Sequence, residues 1–243
     1  MFTKNVKPAK SGGNPARRRR GRPAGPTEHG LAVRQKLFET AIALIAEEGY
    51  EKATLRAVAD RVGVSVGLLY RYFPNKRAVV MALYDDLSRE QQSRASAMPA
   101  GTWRDRFVFA LETSLAVLGP HRRTLEAMIP VMVSSAPDGL FGRETTFSRR
   151  RVQGVFQDAV VGAKDAPTGE LAAALGRLGY LIHLAVILWW LLDRSPGQRA
   201  TTALVGLLKQ VLPLTSLALK VKRVAAFVTA GDRLFAEALL QEE

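Results

Sequence analysis

Residues Thr54–Phe73 read TLRAVADRVGVSVGLLYRYF, and this stretch decides the fold. Thr54 offers a hydroxyl N-cap to LRAVADRV, in which Leu55, Val58, Ala59 and Val62 fall on one side at helical spacing. Gly63 ends that segment, and Ser65 offers a second cap two residues later, opening VGLLYRYF. Two short helices joined by a glycine-containing turn of three or four residues have the layout of a helix-turn-helix.

Working outward, Leu37, Phe38, Ala41, Ile42, Leu44 and Ile45 mark an amphipathic helix closed by Gly49. On the other side Pro74 stops the second short helix, and Asn75 caps a further one with Val79, Val80, Leu83 and Leu87 on one face, ending near Ser88. From Trp103 the pattern predicts helices over residues 103–118, 121–133, 140–163, 169–193, 197–217 and 219–240. They are separated by Gly119-Pro120, by Ala136-Pro137-Asp138-Gly139, by Asp165-Ala166-Pro167 and by Ser195-Pro196-Gly197. No alternating strand pattern and no fixed-period repeat interrupts them. The expectation is an all-α protein. Residues 1–30 form a basic arm, residues 31–90 a helix-turn-helix domain with a three-helix reading unit, and residues 91–243 a helical C-terminal domain.

The 47% hydrophobic content of the 243 residues is that of a chain with a real core, and it excludes a disordered protein. With no cysteine, disulfides, thiolate metal sites and cysteine nucleophiles are excluded, which fits a reducing compartment. The N-terminal residues lack the apolar run of a signal peptide. Leu178–Leu192 is the most apolar stretch, but it is short for a membrane span and contains His183, so it reads as a buried helix. A cytoplasmic, nucleoid-associated protein is expected. The net charge of +13 is concentrated at one end, where residues 1–30 carry eight basic residues against Glu28. A Pro-, Gly- and Lys-rich basic tail suits a polyanion.

The second short helix carries the case for double-stranded DNA. Ser65, Val66, Gly67 and Leu68 form a slender first turn that fits a major groove. Tyr70, Arg71, Tyr72 and Lys76 follow with hydroxyl and cationic donors at spacings suited to phosphates on the groove walls. Leu69 and Phe73 read as core, and core is the competing reading for the two tyrosines.

The segment Leu37–Leu87 resembles the DNA-binding domain of the TetR/AcrR family of transcriptional regulators. The likeness rests on Gly49-Tyr50, Thr54, Ala59, Gly63-Val64-Ser65, Gly67, Tyr70-x-Tyr72-Phe73 and Lys76. It implies phosphate contacts by Thr54, Lys76, Tyr70 and Tyr72, a capping serine at Ser65 that also reaches a phosphate, and close backbone approach at Gly67. The sequence departs from the usual family pattern at Val66 and Leu68, where apolar contact with thymine methyl groups would replace hydrogen-bonded readout. The resemblance further implies a homodimer, a palindromic operator and release of DNA when a small effector binds. Repression is the family's commoner outcome. By the same analogy residues 169–193 and 197–217 would pair with their mates as a four-helix bundle. In the arm, Arg19-Arg20-Gly21-Arg22-Pro23 resembles an AT-hook core, with Arg20 and Arg22 entering a minor groove, and a nonspecific phosphate-binding tail is the alternative.

Candidate lining residues for an apolar or amphipathic effector are Met128, Met132, Phe141, Phe147, Tyr180, His183, Trp189 and Trp190, although residues of these types are more often plain core than ligand contacts. No cofactor signature is present, and His183 has no second ligand at metal-binding spacing. Gly63-Val64-Ser65-Val66-Gly67 matches the nucleophile-elbow pattern but sits between helices, without the strand that such an elbow needs. No catalytic residue is assigned, and an enzyme is not expected. A ligand-independent architectural DNA binder is the alternative that the basic arm favours.

Overall fold

The computed structural model describes residues 27–239, and the arm with Arg20 and Arg22 lies outside them. The local signals around the turn take the expected geometry. Helix α1 (Glu28–Glu48) buries Leu37, Phe38, Ala41, Ile42, Leu44 and Ile45 along one stripe. Helix α2 (Leu55–Val62) starts where Thr54 Oγ1 accepts from Ala57 N at 3.1 Å, and it ends on Gly63 at φ 79° and ψ 35°. That left-handed conformation is open to glycine without a Cβ penalty. Helix α3 (Val66–Tyr72) is capped by Ser65 Oγ, which accepts from Leu68 N at 3.2 Å. Helix α4 (Lys76–Ala95) is capped by Asn75 Oδ1, accepting from Ala78 N at 2.8 Å.

Beyond them lie α5 (Trp103–Leu118), α6 (Arg122–Ala127), α7 (Ile129–Met132), α8 (Thr146–Val161), α9 (Glu170–Leu192), α10 (Arg199–Ala218) and α11 (Lys222–Leu239). No strand occurs among the described residues. One core runs from Leu37, Leu44, Val58, Leu69, Phe73, Val80 and Leu83 of the first four helices into Leu125, Met128, Ile187, Trp190 and Leu191. A second packs Trp103, Phe107 and Leu111 against Phe156, Tyr180 and Val186. Helix α9 is long and apolar enough to cross a membrane by length and composition. It lies against α5, α6, α8, α10 and α11. Arg122 caps its end by donating to the carbonyls of Trp190, Leu191 and Asp193 at 3.1, 3.2 and 2.9 Å.

Four expected boundaries move. The first helix begins at Glu28, inside the expected arm, because Thr27 Oγ1 accepts from Gly30 N at 3.2 Å; His29 is therefore helical. The expected break at residue 90 falls within α4, where i,i+4 pairs Arg89–Asp85 at 2.6 Å and Arg94–Glu90 at 2.7 Å carry the helix on. The segment 121–133 divides at Met128, since Pro130 lacks the N–H that a helix interior needs. Helix α8 begins at Thr146 rather than 140, and residues 133–145 form a folded loop instead. A Cβ at Gly142 would stand 2.2 Å from the Pro137 carbonyl oxygen, so only glycine permits that close approach.

Candidate functional site

On α3 the residues divide by direction. Leu69 is buried, and Val66 and Tyr72 are half-buried and pack on the first core. Gly67, Tyr70 and Arg71 are exposed, and half-buried Leu68 stays off that core. The apolar pair expected to face bases is thus split, with Val66 turned inward and Leu68 left on the outer side. Thr54 and Ser65 are exposed, and each spends an oxygen lone pair on a helix cap while its O–H proton stays available to an acceptor such as a phosphate. Lys76 points back to the end of α1. Its Nζ donates to the carbonyl of Tyr50 and, at 3.3 Å, to that of Glu51, and lies 4.2 Å from the centre of the Tyr50 ring. It fastens the start of α4 to the α1–α2 turn.

A cavity of about 830 Å³ opens among α4, α5, α6, α7, α8, α9, the 133–145 loop and the end of α11. Its wall is mainly aliphatic, with a small polar group set into it. Ser114 Oγ lies 2.7 Å from His183 Nε2 and donates to Gln91 Oε1 in a 3.4 Å contact. Burial pushes the His183 pKa down to about 3, so the imidazole is neutral, and its ring packs 4.7 Å from that of Phe156. Three buried polar atoms at this wall, Tyr84 OH, Gln91 Nε2 and His183 Nδ1, have no partner among the described residues. The Tyr84 phenol is pushed well up, first by burial and then by the charge of Asp138. Unpaired buried polar atoms are costly, and a bound polar group would satisfy them.

The loop over the cavity is tied to the reading unit. Arg77, in the first turn of α4, pairs with buried Asp138 at 3.4 Å and with Glu144 at 3.3 Å. Farther along α4, Arg151 of α8 holds Asp85 at 2.9 Å and donates to Ser88 Oγ at 2.6 Å.

Residues 37–83 match the family model for bacterial regulatory proteins of the tetR family. The chain is 46% identical over 165 residues to the transcriptional repressor KstR of Rhodococcus jostii, covering 67% of this chain and 74% of that protein. It is 30% identical over 164 residues to KstR of Mycobacterium tuberculosis, covering 67% and 72%. The chain belongs to the TetR family. Solved structures agree in fold. A TetR transcriptional regulator from Nitrosomonas europaea superposes with a TM-score of 0.57 at 21% identity, covering 76% of this chain and 99% of that one. The regulator FadR from Bacillus subtilis, in complex with stearoyl-CoA, gives 0.58 at 14% identity, covering 73% and 96%.

This TetR-family protein is therefore a DNA-binding transcriptional regulator and not an enzyme. Ser65 in the elbow-like pentapeptide is a helix cap at the surface. The buried Ser114–His183 contact resembles part of a catalytic triad, yet among the described residues no group orients His183 Nδ1.

Of the candidate lining residues, the TetR-family fold brings Met132, Phe141, Tyr180 and His183 to the cavity. The others lie elsewhere. Met128 and Trp190 belong to the first core, Trp190 beneath the Arg122 guanidinium at 5.7 Å. Phe147 is exposed beside Arg151, and Trp189 is half exposed on the outer side of α9. Sequence reasoning missed Tyr84, Gln91, Ser114 and Arg149. Arg149 carried a signal, since it shares the i, i+3, i+7 face of α8 with Val152 and Phe156.

Proposed function

We propose that the protein is a homodimeric repressor that binds a palindromic operator and releases it when an apolar or amphipathic effector fills the cavity. The observation that carries this reading is the span of α4. Its first turn, Lys76 and Arg77, is fastened to the reading unit and the loop, while Tyr84, Leu87, Ser88 and Gln91 of the same helix line the cavity. A ligand that favours one position of α4 thereby favours one placement of α3.

Dimerisation is supported by apolar residues left exposed on one protomer: Trp189 and Leu192 on α9, and Leu207, Val211 and Leu214 on α10. Large apolar faces of this kind mark interaction surfaces. Two copies would set their recognition helices about 34 to 36 Å apart, one turn of DNA. The repressor relatives support the direction of control. A protein acting on operator DNA works in the compartment that holds the chromosome.

Footprinting on the DNA upstream of the protein's own gene tests the reading. One protected palindrome at physiological salt is the expected result. Equal binding to that DNA and to random duplexes would favour an architectural role for the basic arm and sink the operator reading.

Two substitutions separate the contributions of α3. Tyr72→Phe, which keeps the ring packed on the first core, should weaken binding to all duplexes alike, because a hydroxyl on phosphate carries no sequence information. Leu68→Ala should change discrimination at one base pair in each half-site by about 1 kcal/mol, the scale of a lost methyl contact. Affinities measured on a set of single-base operator variants distinguish them, and a uniform loss from Leu68→Ala would remove it from the base-reading surface.

A further inference from the structure

Arg149 stands in the first turn of α8 and lines the cavity, with 6% of its surface exposed. Among the described residues its guanidinium makes two long hydrogen bonds, 3.4 Å to the Gly142 carbonyl and 3.3 Å to Thr146 Oγ1, both to neutral acceptors. No carboxylate among the described residues pairs with it. Its neighbour Arg151 shows the contrast, held by Asp85 at 2.9 Å. Taking a guanidinium out of water without a counter-charge is strongly unfavourable, so such a group is a standing demand for an anion.

The rest of the wall narrows what that anion is. Among the described residues lining the cavity, Arg149 is the only Lys, Arg, Asp or Glu, and most of the others are Leu, Ile, Val, Met, Phe or Tyr. One guanidinium neutralises one charge, and its planar fork matches the two oxygens of a carboxylate. A second negative charge would have no partner. A neutral acyl ester would leave Arg149 as it is.

We propose that the cavity takes a monocarboxylate with a long apolar body, its carboxylate seated on Arg149 and its body along the aliphatic wall. This rests on the reading of the cavity as the effector site. The seat lies under the 133–145 loop, since Gly142 supplies one of Arg149's two acceptors. The same loop carries Asp138 and Glu144, the partners of Arg77. Ligand charge and the reading unit therefore act on one segment of chain.

Calorimetric titration of the full chain with dodecanoate, methyl dodecanoate, dodecanol and dodecyl phosphate, all below their aggregation concentrations, tests this. Dodecanoate should bind at least about tenfold tighter than the ester and the alcohol, the order expected for one desolvated ion pair. It should also outbind the phosphate. In Arg149→Met the acid and the ester should bind within about threefold of each other, and Arg149→Lys should keep part of the preference. Equal binding of acid and ester to the unmodified chain, tighter binding of the phosphate, or a preference that survives in Arg149→Met would each overturn the proposal. If Arg149→Met does not fold, the acid-to-ester ratio of the unmodified chain decides the matter. Binding of ester and alcohol without an acid preference removes only the charge assignment, whereas no binding by any of the four removes the cavity reading with it.

Discussion

Replacing Arg77 with Gln together with Asp138 with Asn should leave operator binding within about threefold of the original while removing most of the communication between DNA and effector. The pair of substitutions is chosen because Asp138 is buried, 5% exposed, and losing Arg77 alone would leave its carboxylate without a partner. With both charges gone, the loop keeps its backbone bonds, including Glu144 N to the Pro137 carbonyl at 3.0 Å and Leu140 N to the Met132 carbonyl at 2.9 Å. What is lost is the tie between the loop over the cavity and the first turn of α4. Coupling free energies between sites are typically about 1–3 kcal/mol, or roughly 5- to 150-fold in affinity, and they are reciprocal. The measurement is accordingly the affinity for dodecanoate with and without operator duplex. The unmodified protein should show a ratio of about tenfold or more, and the double variant a ratio near one. An unchanged ratio would mean that the signal travels along α4 alone, through Tyr84 and the Arg151 contacts to Asp85 and Ser88.

That link could not be read from the sequence, whereas the reading unit could. Thr54, Gly63, Ser65 and Asn75 act on backbone within three or four residues of themselves, so their meaning is local and survives without knowledge of the fold. The direction of Val66 is not local. A seven-residue helix has no long periodic stripe, and only its packing against α1 and α2 decides which of Val66 and Leu68 turns inward. The same limit applies to α9, apolar on nearly every side. Periodicity cannot tell that His183 faces the cavity, Trp190 the first core and Trp189 the outside. Tyr84 and Gln91 escaped notice for a like reason. Tyr84 lies within the span expected for the reading unit and Gln91 just past its expected end, and only the packing of α5 and α8 against α4 turns both toward the cavity.

His183 gives the cavity a stability signature that can be measured without any ligand. The ring is buried, 4% exposed, against Phe156 and Tyr180, and its pKa in the folded protein falls to about 3 from an ordinary value of 6.5. Between those two pH values the unfolded chain takes up a proton at this residue and the folded chain does not. Protons therefore favour unfolding across that window: the stability contribution is complete above about pH 6.5 and declines as the pH falls toward 3. The slope is about 1.4 kcal/mol per pH unit once well inside the window, so roughly 2–3 kcal/mol is lost by pH 4.5. Other groups also titrate there, and the variant His183→Gln isolates the effect because its amide keeps a hydrogen-bonding partner for Ser114 without gaining a proton. Urea titrations from pH 7.5 to 4.5 should show the unmodified protein losing about 2 kcal/mol more than His183→Gln over the range. Parallel curves would mean that the imidazole takes up its proton as readily in the folded state as in the unfolded one, and the cavity wall would then carry a second cation beside Arg149 below about pH 6.5. A steeper loss in the unmodified protein means instead that the wall holds a neutral imidazole, leaving Arg149, among the described residues of the wall, as the one positive charge against which an acidic effector can be placed.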